Sequence, residues 1–143
     1  VIRTNPKFRS LVLGLSAAAL MPAMAFAQGA TVSYTEAQAD RGEDAYAEHC
    51  EVCHGSTLSG SAETPPLVGS GFRGRFATGS PLALFSYASE AMPQQAPGSL
   101  TPETYADIVA FLFSKNRIPA GDAELPSDVN VLGAATLPAQ VTP

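Results

Sequence analysis

Two thiols and an imidazole fall within five residues, Cys50-Glu51-Val52-Cys53-His54. Two cysteines three apart can each add sulfur to one vinyl group of a haem. The histidine that follows is then placed under the iron as its proximal ligand, so the spacing reads as c-type haem attachment. These are the only cysteines in 143 residues, which leaves no second pair for a Cys-rich zinc site and no disulfide framework. A second soft ligand stands at Met92, just before Pro93. A lone methionine usually fills a core. Placed after a haem-attachment motif and just past an expected helix, Met92 reads as the sixth ligand, and a Met/His pair raises the reduction potential.

Other residues are placed to support this chemistry. A proline carbonyl near a ligating histidine can accept its free ring N–H and fix the tautomer. Pro66 is the first candidate and Pro65 the second, against the plain alternative that both stiffen a loop. Phe72 and Phe76 can line a haem cleft, and an arginine, Arg75 by choice, can pair with a propionate. His49 reads as a helix-surface or packing residue.

The elements that must position these groups are helices. Thr35 offers an N-cap for a run from Glu36 to His49, with Ala39, Gly42, Tyr46 and His49 at three-or-four spacing. Gly55 can end the haem turn through a positive φ. Ser80-Pro81 opens a short helix to about Glu90, with Leu82, Phe85 and Ala88 inward. Thr101-Pro102 caps another, to about Asn116. There Tyr105, Ile108, Val109 and Leu112 form an apolar stripe, widened by Phe111 and Phe113, and expected to meet Gly42 and Tyr46 through Tyr105 and Ile108. Beyond Ile118, Pro119, Pro126, Pro138 and Pro143 break any element. This tail is expected to wrap the surface or stay partly disordered, with Val129, Val131 and Leu132 as possible pins.

Residues 1–27 read as a cleaved secretory signal: Arg3, Lys7 and Arg9, then an apolar run ending Ala25-Phe26-Ala27. The alternative, an uncleaved anchor, is short for a membrane span. All 13 acidic residues lie after residue 27, against five basic ones, a net charge of −8. That balance disfavours nucleic acid as a partner. The expected organisation is a signal at 1–27, a linker at 28–35, a haem domain at 36–117 and a Pro-rich extension at 118–143.

Together, a helix leading into C-x-x-C-H, a Pro-Leu loop, Met92-Pro93 and a C-terminal amphipathic helix resemble the class I cytochromes c. The likeness covers about residues 36 to 117. It is nearest to small exported bacterial cytochromes c related to electron acceptors of quinoprotein alcohol and sugar dehydrogenases. It rests on Pro65-Pro66-Leu67-Val68-Gly69, Pro97-Gly98-Ser99-Leu100 and the run Glu103 to Leu112. Phe76 stands where members often have tryptophan. The resemblance implies an all-α fold of three main helices around one covalent haem c. It implies Cys50 and Cys53 as the attachment points, His54 and Met92 as axial ligands, and Pro66 as the acceptor for His54.

The expected function is a periplasmic one-electron carrier rather than an enzyme. It would pass electrons from a donor such as a quinoprotein dehydrogenase towards a terminal oxidase of a respiratory chain, with no stable membrane insertion. Three alternatives stand beside it. A cytochrome subunit held permanently by a dehydrogenase has the same chemistry. An open-site haem enzyme or sensor would leave Met92 unligated. A thiol oxidoreductase would need a strand before its C-x-x-C, and no strand pattern precedes Cys50.

Overall fold

The computed structural model describes residues 30–140, so the expected signal and the start of the expected linker lie outside the described residues. The chain is helical: α1 (Glu36–His49), α2 (Glu51–His54), α3 (Ser70–Phe76), α4 (Leu82–Ala91), α5 (Pro102–Lys115) and α6 (Val129–Ala134). No β-strand occurs among the described residues. An isolated parallel bridge joins Thr31 to Thr136. The all-α expectation holds, with three short helices added to the three expected.

The two 14-residue helices start as their sequences dictate. The Thr35 hydroxyl accepts the Gln38 N–H (3.1 Å), and the Thr101 hydroxyl accepts the Thr104 N–H (3.2 Å), each satisfying a donor that the first helical turn leaves free. Helix α5 is the centre of the molecule. Tyr105, Ala106 and every residue from 108 to 113 are buried, a wider apolar surface than a one-sided stripe.

Helix α1 crosses α5 at Gly42. A β-carbon there would lie 1.9 Å from the Asp107 carbonyl oxygen and 2.9 Å from Phe111 Cβ. Tyr46 packs on Phe111 one turn further, with ring centroids 5.2 Å apart. The closest approach at Gly42 is therefore to Asp107 and Phe111, on the same helix as the expected Tyr105 and Ile108. Asp107 contributes its backbone, which a hydropathy stripe cannot register. Its carboxylate turns outward to a forked pair with Arg41 (3.0 and 3.1 Å).

The tail is part of the fold. Ile118, Leu125, Leu132 and Ala135 are buried. Buried Gln38 clasps the backbone of Leu125 from both sides, its Nε2 donating to the carbonyl (3.0 Å) and its Oε1 accepting the N–H (2.7 Å). Asp128 caps α6 through the Asn130 and Val131 N–H groups. The Ser80 hydroxyl donates to the Leu132 carbonyl (2.6 Å), and Gln140 Nε2 to that of Ala77 (2.9 Å). Of the three expected pins only Leu132 is buried; Val129 and Val131 face outward. The last part of the expected linker is fastened too. Tyr34 is buried, its hydroxyl donating to the Ile118 carbonyl (2.6 Å) and its own carbonyl accepting the Gly121 N–H (2.8 Å).

Candidate haem site

Helix α1 delivers the motif. Cys50 caps it, its N–H bonding the Tyr46 carbonyl (2.9 Å). The chain then makes the single turn α2, with the His54 N–H donating to the Cys50 carbonyl (3.0 Å). Gly55, at φ +77°, ends that turn in the left-handed region a glycine tolerates. The Tyr46 hydroxyl donates to the Gly55 carbonyl (2.7 Å) and ties the turn to α1. Neither cysteine is in a disulfide. Cys50 is half-buried and Cys53 exposed, and Val52 between them is 83% exposed.

His54 is buried, and its Nδ1 lies 3.3 Å from the Pro65 carbonyl. The carbonyl can only accept, so Nδ1 carries the proton and Nε2 presents its lone pair. The partner is Pro65 and not Pro66. The loop turns tightly at Gly60, whose missing β-carbon would lie 2.1 Å from the Thr64 carbonyl and 2.9 Å from that of Pro65. Gly60 also donates its N–H to the His54 carbonyl (3.1 Å), and Leu67 donates to Leu58 (2.8 Å). These closures fix which peptide faces the imidazole. Burial pushes the His54 pKa down, opposed by the Pro65 bond, so the ring is neutral near pH 7, the form that binds a metal.

This donor set fits a haem c: one imidazole oriented through Nδ1, preceded on the same turn by two cysteines that are not joined in a disulfide. It fits dithiol redox chemistry poorly. Burial, and then the neighbouring Cys53, push the Cys50 thiol up to about 11, whereas such chemistry needs a thiolate near neutral pH. Among the described residues no group of three or more His, Cys, Asp or Glu side chains is arranged to hold a bare metal ion.

Met92 stands at the end of α4, half-buried, with its N–H on the Ala88 carbonyl (3.1 Å) and its backbone extended. The Tyr105 hydroxyl donates to the Met92 carbonyl (2.7 Å). Phe72 is buried in the core and packs on Phe76 at 5.2 Å, which leaves half-buried Phe76 as the ring of the pair with more open surface. Arg75 is exposed, its guanidinium 4.8 Å from the Phe76 ring and 5.6 Å from that of Tyr87. Two residues that the sequence did not single out for the site bear on it. Tyr105 reads from its spacing as plain core. Asn116, fully buried, donates from Nδ2 to the Leu67 and Leu112 carbonyls (2.8 Å each), tying the Pro65 loop to the end of α5.

The family model described as cytochrome c oxidase, cbb3-type, subunit III matches residues 37–112, and the chain belongs to that family. It is a cytochrome c domain, a class to which covalently bound haem c and electron transfer belong. Among solved structures it is similar to the sulfane dehydrogenase SoxCD from Paracoccus pantotrophus, with a TM-score of 0.55 and 20% identity. That match covers 78% of this chain and 62% of the other, so this chain spans less than two thirds of its length, and the likeness is one of fold. No curated protein matches. No helix among the described residues is long and apolar enough to cross a membrane.

Proposed function

We propose that this protein is a periplasmic one-electron carrier with a single haem c, attached through Cys50 and Cys53 and ligated by His54 and Met92. The observation that carries the reading is buried His54, its Nδ1 committed to the Pro65 carbonyl, on the single turn that also carries Cys50 and Cys53. When bound, haem supplies a one-electron iron couple. Cys50 and Cys53 would hold the haem through their sulfurs, His54 would offer its imidazole in a fixed tautomer, and Met92 would supply a thioether in place of an exchangeable ligand. Residues 1–27 serve as the export signal. The donor is a dehydrogenase, of the quinoprotein kind by motif resemblance, and the acceptor is a terminal oxidase.

The test is the absorption spectrum of the mature protein after coexpression with a haem-attachment system. The expected result is covalent haem c with low-spin iron in both redox states and a weak Met–iron charge-transfer band. Met92→Ala loses that band, and Cys50→Ala with Cys53→Ala loses covalent haem. High-spin iron that binds carbon monoxide readily in the wild type overturns the closed-site reading. A second reading, a subunit held permanently in a larger redox assembly, is favoured by the family's description as an oxidase subunit. Elution of the native protein as a stoichiometric complex, rather than alone, decides for it.

A further inference from the structure

We infer that Tyr105 is a positioning residue for the sixth ligand: its hydroxyl sets the strength of the Met92–iron bond by holding the Met92 backbone to helix α5. This rests on the proposed ligation by Met92. Three observations support it. The Tyr105 hydroxyl donates to the Met92 carbonyl at 2.7 Å, across 13 residues of chain. Met92 is where regular structure stops: α4 ends at Ala91, and residues 93–100 form a loop with six consecutive exposed residues, Gln94 to Ser99. Tyr105 itself is 3% exposed in the first turns of the most buried helix of the molecule, so it is a fixed post rather than a mobile side chain.

The physical consequence follows from where the bond acts. A thioether is a weak, neutral ligand, and its hold on iron depends on how little freedom its backbone has when it lets go. The loop after Met92 makes two short local closures, Ala96 N–H to Pro93 and Ser99 N–H to Ala96, and these tie the loop to itself. The Tyr105 bond ties the ligand residue to the core. Without it the released state of Met92 gains backbone freedom, while helix packing of the ring is retained.

Tyr105→Phe keeps the ring and removes only the hydroxyl. Imidazole, added to the ferric holoprotein, competes with Met92 for iron. The expected result is a normal covalent haem c, a retained charge-transfer band without imidazole, and about tenfold tighter apparent imidazole binding, the scale of one lost hydrogen bond. Val109→Ala is the comparison: it weakens the core contact of the same helix, where Val109 is fully buried, and is expected to lower global stability with imidazole affinity unchanged. Equal imidazole affinity in wild type and Tyr105→Phe overturns the inference while leaving Met92 ligation intact. So does a gain in Val109→Ala as large as in Tyr105→Phe, since the effect would then be general loosening. A wild-type protein with no Met–iron band overturns the ligation itself, and the role of Tyr105 with it.

Discussion

Tyr46 joins the first helix to the haem turn by a single hydroxyl, which donates to the Gly55 carbonyl at 2.7 Å. Burial, then the neighbouring Cys50 and Glu51, push its pKa up to about 12 from an ordinary 10.0. A group that holds its proton more tightly when folded contributes stability that is fully present below the unfolded value. That contribution is lost as pH climbs from 10 through about 12. Tyr46→Phe removes the bond and is expected to cost about 1 kcal/mol at neutral pH. The gap between wild type and variant should shrink as pH rises above 10, when both are unfolded in urea across that range. A gap that stays constant would show that the phenol does not titrate against the fold. Tyr34, also raised by burial and by Glu36, loses stability in the same direction in both proteins and cancels from the difference.

At the scale of elements, the α1–α5 crossing has the least tolerance. Gly42→Ala sets a β-carbon 1.9 Å from a backbone oxygen, and backbone cannot rotate away as a side chain can. The expected cost is about 3 kcal/mol, read as a lowered guanidinium midpoint of the holoprotein with an unchanged haem spectrum. The sequence made α1 and α5 legible because each carries a hydroxyl cap and a strong period, and their observed bounds match the expected ones closely. It made the His54 turn legible because the motif is local. Helix α3 was hidden by Gly71 and Gly74, which lower helix propensity without preventing a helix held by Phe72 in the core. The sequence reading puts Pro66 ahead of Pro65 and is one residue off, since that choice in a loop depends on the closure at Gly60. The tail was only partly legible: Leu132 is among the three candidate pins, but Leu125 is not, and both are joined to side chains far away in sequence, Gln38 to Leu125 and Ser80 to Leu132.

The molecule as a whole is small and relies on covering layers. The last short helix, held by its fully buried Leu132, is one such layer. Leu132→Ala is expected to cost about 3 kcal/mol and to lower the thermal midpoint of the holoprotein while leaving its neutral-pH spectrum alone. Haem is the other layer: a chain this short buries little apolar area unaided. The Cys50→Ala, Cys53→Ala double variant, prepared without haem, is expected to lose most of its helical circular dichroism, and a cooperative native-like melt would contradict this.

The parallel bridge between Thr31 and Thr136 has a mechanical meaning. The Val32 N–H bonds the Thr136 carbonyl (3.0 Å), and the Thr136 N–H bonds that of Ala30 (3.1 Å). Because the two segments run the same way, tension drawn between the start and the end of the described chain loads both bonds together in shear. The clasp carries that force directly from one end to the other. Pulling is then expected to open the bridge before it disturbs the turn that holds His54 or the end of the helix that holds Met92.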